Sequence, residues 1–361
     1  MKRLFYYREE REKEEEPMKD LRSIEYEDLC ALMKELGEKS YRADQIFTAV
    51  HSGRADSIDA INVIPKTLKE RLKEHLFLSS MTVIKKQSSD DGQTDKLALS
   101  LEDGNVIESV VMDYSYGTSL CISSQVGCRM GCRFCASTID GVARNLSPAE
   151  MLLQAVMAER ETGKRISRIV IMGMGEPLDN MDNVVSFIKI ITHPKGRNMS
   201  QRDITLSTCG LVPNIRRLAD MKLHVNLALS LHSPNEEVRK NLMPIANAYS
   251  IDECLNACDY YFEKTGRRIS YEYALFDGIN DSISDARQLS RLLKGRNCHV
   301  NLIRANDVKE TGLKGSTQAA ATAFEKELEK NRINVTIRRR MGRTVDGACG
   351  QLRRRVIAPG S

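Results

Sequence analysis

At 361 residues, 41% of them hydrophobic, the chain is long enough to bury a large core, either as one large domain with an appendage or as two domains. No apolar run approaches the roughly 18 residues needed to cross a bilayer, and the opening MKRLFYYREEREKEEE has no apolar signal region, so no membrane association and a cytoplasmic location are expected. Ten cysteines in a charged, tryptophan-free chain argue against a disulfide framework and for thiols in metal or catalytic chemistry, while a net charge of +5 is too modest to establish a nucleic-acid partner by itself.

Residues 1–20 read as a charged tail, mostly acidic between Arg8 and Glu16 and best explained as solvated. From 21 to 80, apolar residues recur at helical spacing in IEYEDLCALMKELGEKS, YRADQIFTAVHSG and IPKTLKERLKEHLF, with Gly37 and Gly53 as stops. This predicts a small helical accessory domain, for which packing alone and RNA contact stand as equal explanations. From 81 to 115 the period changes to two, with turns at Asp91-Gly92 and Asp103-Gly104, which predicts a β linker into the core.

Residues 116–355 alternate strand and helix. Strands are predicted at 119–125, 168–173, 203–208, 224–232, 268–275, 299–305 and 334–339, with amphipathic stretches such as SPAEMLLQAVMAERE between them. The alternation implies an α/β core with a parallel sheet, and about six units predict an open, partial (β/α)6 TIM-like barrel. Residues 356–361 read as a tail. Polar or glycine-rich residues follow nearly every strand, at Gly175-Glu176-Pro177, Ser207-Thr208-Cys209-Gly210, Ser230-Leu231-His232 and Asn306. Such folds bind ligands at the carboxyl ends of their strands, so one site is expected there.

Cys128, Cys132 and Cys135 share one loop after the first core strand. Three thiolates can hold three irons of a [4Fe–4S] cube and leave the fourth open to the amino and carboxylate groups of an amino-acid cofactor. A closed zinc site needs a fourth Cys or His, and none is near in sequence. This C-x3-C-x2-C spacing resembles the radical S-adenosylmethionine superfamily. GMGEP, at 173–177, follows the second strand; its glycines permit close backbone approach, and free strand-end carbonyls suit an ammonium group. Beside the cysteine motif, Gly175 and Glu176 resemble the superfamily's site for the methionine amino group. Ser207, Ser230, Leu231, His232 and Asn306 are candidate contacts to the sugar and carboxylate, although each alone reads as a polar cap.

Two further cysteines stand apart, Cys121 in LCISSQVGC and Cys349 in DGACGQL. The ordered set LCISSQVGCRMGCRFCAST, GMGEP, TLSTCGLVP, SLHSPNEEVR, MPI and ACGQL closely resembles the RlmN-type methyltransferases, which act on carbon 2 of adenine in 23S rRNA and tRNA; the match runs from about Leu21 to Arg355. The resemblance implies one [4Fe–4S] cluster and two S-adenosylmethionine molecules per turnover. One methylates the Cys349 thiol. The other is cleaved to a 5′-deoxyadenosyl radical that takes hydrogen from the S-methyl group, and the carbon radical adds to the adenine. Carbon 2 is electrophilic, so polar attack on a methyl sulfonium has no handle there. The resemblance further implies that Cys121 releases the RNA through a transient disulfide with Cys349, and that Glu108 in VIESVV accepts the proton lost from carbon 2. By periodicity alone, Glu108 reads as a solvent-facing strand residue.

A flavodoxin- or ferredoxin-type electron donor is expected, and a monomer. Arg338–Arg340 and Arg353–Arg355 flank Cys349 and are expected to pair with RNA phosphates. Cys30, Cys254, Cys258 and Cys298 read as small core residues, and Cys209 as packing beside Ser207. Where the RlmN pattern has NLIPxNP this chain has NLIRANDVKETG, keeping Asn306, and Gly347 precedes Ala348-Cys349; both changes touch loops and leave the reactive groups intact. Two other readings remain: a Cfr-type enzyme that methylates carbon 8, and a non-catalytic RNA-binding protein with a structural metal.

Overall fold

A computed structural model of the chain describes residues 18–53, 55–305 and 312–338, together with Leu352 and Val356. Asn306, Cys349 and the arginines at 339, 340 and 353–355 lie outside the described residues.

The N-terminal part holds the three predicted helices, α1 (Tyr26–Glu35), α2 (Tyr41–His51) and α3 (Lys66–Lys73), bracketed by a short parallel pair of β1 (Lys19–Asp20) and β2 (Leu76–Phe77). Their apolar faces, with Leu29, Met33, Ile46, Phe47, Leu68 and Leu72, form a core of their own. Ile190 of the following part joins that core, and Lys189 pairs with Glu25 and Lys195 with Asp44 across the seam.

One ten-stranded sheet organises the rest. β3 (Met81–Ser88), β4 (Thr94–Leu101), β5 (Val106–Tyr114) and β6 (Gly117–Ile122) form an antiparallel run in chain order. The segment expected to act as a linker therefore adds three strands to the core's own sheet. A separate antiparallel pair, β7 (Gln125–Gly127) and β8 (Val142–Asn145), holds the cysteine loop between its strands. From β6 the sheet turns parallel, through β9 (Ile166–Ile171), β10 (Ile204–Thr208), β11 (Asn226–Ser230), β12 (Ile269–Leu275), β13 (Cys298–Arg304) and β14 (Val335–Ile337).

The crossovers are helical: α4 (Pro148–Thr162), α5 (Met181–Thr192), α6 (Val212–Asp220), the short α7 (Glu236–Leu242) with α8 (Ile251–Thr265), α9 (Ile283–Leu293) and α10 (Gln318–Lys330). Local chemistry sets their ends. Ser147 and Glu150 form a reciprocal capping box with Pro148 in the first turn of α4, and Gly163 closes it in the left-handed conformation; Ser250, Glu253 and Gly266 do the same for α8. The result is the expected partial (β/α)6 barrel with a seventh parallel strand and the three antiparallel strands β3–β5. Its outermost described strands are β3 and β14.

Alternation along the strands sorts two faces. One carries Leu97, Leu99, Ile107, Leu120, Leu206, Leu229, Tyr271 and Val300 into the main core beneath the helices. The opposite, inner face carries Lys96, Ala98, Glu108 and Cys121 on the antiparallel side, and Ser207, Ser230, Glu272 and Asn301 on the parallel side, where registers such as Ser230↔Glu272↔Asn301 align them across neighbouring strands.

Candidate active site at the strand ends

The inner face opens into a cavity of about 280 Å³ at the carboxyl ends of the parallel strands. Its walls include Cys128, Cys132 and Cys135 together with Gly175, Glu176, Ser207, Ser230 and His232. The sequence candidates from four separate strand ends are thus brought to one place. The Leu231 side chain packs into the main core, so only its backbone lies between the two pocket residues Ser230 and His232.

The cysteine loop is fixed at both ends and in the middle. The Cys128 amide donates to Gly141 (2.8 Å), the Cys135 amide to Cys132 (3.0 Å), and the Arg133 amide to Leu242 at the end of α7 (3.0 Å). Gly127 lies in the left-handed region, and a Cβ there would sit 2.0 Å from the Gly141 oxygen. Phe134 packs edge-on against His232 and tilted against Phe276, which anchors the loop over the strand ends. Arg129 reaches out of the loop to Asp179 at 2.9 Å.

Burial pushes all three thiols up, Cys128 to about 12; Cys135 raises Cys128 and Cys132 further, and Cys128 adds to the rise of Cys132. Buried thiolates are therefore favourable only beside a cationic centre, which is what iron supplies. Among the described residues no group of three or more His, Cys, Asp or Glu is arranged to hold a single metal ion. A cube takes each thiolate on a different iron, so its ligands need not converge on one point. The donor set fits a [4Fe–4S] cluster held by Cys128, Cys132 and Cys135.

GMGEP is built for close approach. A Cβ on Gly173 would lie 2.6 Å from the Ile122 carbonyl oxygen, and one on Gly175, at φ +101°, 2.6 Å from the Gln125 Cβ. Gln125 accepts from the Glu176 amide at 2.9 Å and donates to Asn145 and Asp179. The buried Glu176 carboxylate accepts from the Leu178 and Cys209 amides, at 3.1 and 2.8 Å; burial raises its pKa and these bonds oppose the rise.

His232 sits at the end of β11 with φ +57°. Its Nδ1 accepts from the Ala274 amide at 2.9 Å, which leaves the proton on Nε2, and burial holds its pKa down at about 3. The ring is a neutral donor at the cavity wall. Asn280 secures it, donating to the carbonyls of His232 (2.6 Å) and Ala274 (2.7 Å) while accepting from the Phe276 amide (2.7 Å).

Glu108 and Cys121 are not among the residues lining this cavity; both are buried on the inner face of the antiparallel strands. Glu108 does not face solvent, as strand periodicity alone suggested, but pairs with Lys96 at 3.0 Å. Ser123 ties the two regions together, donating to the Glu108 carbonyl (2.7 Å) and accepting from the Met174 amide (3.0 Å). Leu352, three residues beyond Cys349 in sequence, is fully buried against Ala98 and Val106, the inner-face neighbours of Glu108.

Lys96, Gln125 and Asn280 were not singled out from sequence. Gln125 stands directly before Val126-Gly127-Cys128 and Asn280 in the turn after β12, so a strand-end signal existed for both; Lys96 gave none. Cys209, read as packing, lines the cavity with the three loop cysteines. Arg338, expected to meet RNA phosphate, instead turns inward: its amide extends β14 by donating to Leu302 (2.8 Å), and alternation then sends its side chain to the inner face, between Met112 and Met172. Cys254, Cys258 and Cys298 are core residues as expected.

Family comparisons agree with this geometry. Residues 122–289 match the Radical SAM superfamily and residues 19–78 the ribosomal RNA large subunit methyltransferase N-terminal domain. A relative from Lachnospira eligens named a probable dual-specificity RNA methyltransferase RlmN is 51% identical over 340 residues, covering 94% of this chain and 97% of its own. One of the same name from Clostridioides difficile is 49% identical over 335 residues, covering 93% and 97%. The crystal structure of a radical SAM methyltransferase from Sphaerobacter thermophilus matches with a TM-score of 0.86 at 40% identity, over 93% of this chain and 99% of that one. Alike in fold and matched over nearly its whole length, the chain belongs to the RlmN family of radical SAM RNA methyltransferases.

Proposed function

We propose that this enzyme methylates carbon 2 of an adenine in 23S rRNA and in tRNA, with Cys349 as the S-methylcysteine carrier, Cys121 as the releasing thiol and Glu108 as the proton acceptor. When bound, the cluster and S-adenosylmethionine supply the radical that activates the methyl group. Gly175 and Glu176 receive the cofactor's ammonium group. Ser207, Ser230, the backbone at Leu231, His232 and Asn306 hold its sugar and carboxylate, with the neutral His232 donating from Nε2. Two S-adenosylmethionine molecules are consumed per turnover, one for the Cys349 methyl and one for the radical.

The carrying observation is the buried Glu108 on the same inner face that Leu352, close to Cys349 in sequence, packs against. A buried carboxylate beside the segment that follows Cys349 supports a base serving carbon 2, which must gain a carbon and lose a proton. Residues 21–80 serve as the accessory RNA-contacting domain, 81–115 as the link that carries Glu108, and 116–355 as the catalytic core. A flavodoxin- or ferredoxin-type protein supplies electrons to a monomeric, cytoplasmic enzyme.

The test is anaerobic methylation of 23S rRNA and tRNA transcripts, read by nucleoside mass spectrometry. 2-Methyladenosine supports the assignment. 8-Methyladenosine would make it a Cfr-type enzyme, and a zinc-loaded protein without cofactor cleavage would remove the catalytic reading.

A further inference from the structure

The stretch SLHSPNEEVR ends in a side chain to which the site described above gives no part. Asn235 caps α7 by accepting from the Glu237 and Val238 amides, and one turn later the helix carries Arg239, which is fully buried. Its guanidinium bonds main-chain carbonyls of two other elements. Nη2 donates to Cys209, in the turn after β10, at 2.9 Å, and Nη1 to Tyr249, just before α8, at 3.4 Å. Cys254 of α8 lies against the same group, and Gly210 packs on it so closely that a Cβ there would sit 3.3 Å from Nη2 and 2.8 Å from the Cys254 sulfur. A buried guanidinium costs free energy to desolvate, and bonds of good geometry must offset that cost.

Those bonds reach the back of the GMGEP turn. Residue 209 is gripped at both of its main-chain groups: its carbonyl accepts from Arg239, and its amide donates to the buried Glu176 carboxylate at 2.8 Å. The backbone of α7 reaches the other half of the site. The Arg239 carbonyl accepts from the amide of Met243, a residue of the cavity wall, at 2.7 Å, and the neighbouring Leu242 carbonyl accepts from Arg133 in the cysteine loop at 3.0 Å. One short helix thus holds the cysteine loop at its end and the support of Glu176 through one side chain.

We propose that Arg239 is a positioning residue that fixes the Glu176 turn relative to the cysteine loop, and so sets where the amino end of S-adenosylmethionine meets the cluster. The proposal deepens the reading of Gly175 and Glu176 as the ammonium site and rests on it. Without the guanidinium, the Cys209 carbonyl loses its buried donor and the amide on Glu176 loses its support. The cysteine loop keeps its own anchors, the Cys128 amide on Gly141 and Phe134 against His232 and Phe276. Loss of Arg239 therefore weakens cofactor binding while the cluster stays in place.

The experiment uses the full-length enzyme with its cluster reconstituted, and reads S-adenosylmethionine binding by anaerobic calorimetry and by the electron paramagnetic resonance of the reduced cluster. Arg239→Met is expected to keep its iron and its cofactor-free spectrum and to bind S-adenosylmethionine about tenfold more weakly. The spectral change that the cofactor induces should need a correspondingly higher concentration. Arg239→Lys, which keeps a charged donor, is expected to recover part of the affinity. Because both residues act through one turn, Arg239→Met combined with Glu176→Gln should lose less than the product of the two single losses. Wild-type affinity in Arg239→Met, iron lost together with affinity, or losses that multiply in the double variant overturn the proposal. If Arg239→Met does not fold, Arg239→Lys carries the same comparisons with a smaller loss expected. Glu176→Gln alone is the separate control: wild-type affinity there removes the reading of Glu176 as part of the ammonium site, whatever Arg239 does.

Discussion

Lys96 Nζ lies 3.0 Å from a Glu108 carboxylate oxygen, with both side chains only 3% exposed. Two charges withdrawn this far from water depend on each other, and removing one takes from the other its buried ion-pair partner. Lys96→Met is therefore expected to lower stability by about 3–5 kcal/mol. Replacing both, as Lys96→Met with Glu108→Leu, is expected to recover most of that loss without recovering methylation. Chemical denaturation and nucleoside mass spectrometry on the same proteins separate the two effects; a double variant that methylates normally would show that the pair is only structural.

Four cysteines face the cavity but only three are assigned to the cluster. Cys128→Ala, Cys132→Ala and Cys135→Ala should each lose most of the iron and all cofactor cleavage, since two thiolates cannot hold the cube. Cys209→Ser should keep both, because residue 209 bonds Glu176 through its amide and its side chain, and a serine hydroxyl can replace the thiol there. Iron analysis and cleavage assays decide it, and iron loss in Cys209→Ser would make that thiol a ligand.

Gly175→Ala places a methyl group 2.7 Å from the Gln125 amide nitrogen in a backbone conformation that side chains avoid. The loop must shift, at a cost of about 1–3 kcal/mol. Because Gln125 also orients Glu176, the loss should appear as weaker S-adenosylmethionine binding by calorimetry, with iron content preserved. Unchanged affinity would mean that the turn does not contact the cofactor.

His51 and His232 are both held near pKa 3 by burial, against an ordinary value of 6.5. A histidine whose folded pKa is depressed adds stability that is fully present above its unfolded pKa and is lost as pH falls toward the folded one. Between pH 6.5 and 3 the unfolded chain binds the extra protons, so stability falls with acidification. His51→Gln is expected to flatten this dependence by up to about 1.4 kcal/mol per pH unit. Denaturation curves at pH 7 and pH 4.5 for wild type and variant provide the measurement, and parallel losses would contradict the assignment.

The cysteine loop and GMGEP were readable because each is contiguous and its residues act through local geometry. Four strand ends were readable because apolar runs stop at polar residues there. The pairing of Lys96 with Glu108 was hidden because it depends on which residues stand opposite one another in β4 and β5, and the register follows from the whole sheet rather than from either strand. The membership of β3–β5 in the main sheet was hidden for the same reason: alternation marks a strand but does not name its partner. Arg338 reads as one of three consecutive arginines, and only the parity of β14 shows that it turns inward.

Among the described residues the sheet runs from β3 to β14 without those two strands pairing. A closed ring can admit only what enters through its ends. A ring with a gap in its wall imposes no such condition. Where the described strands leave the wall unclosed, a nucleotide within a long chain has a lateral approach besides the mouth, which widens the ways a folded RNA can meet an inner face as sheltered as this one.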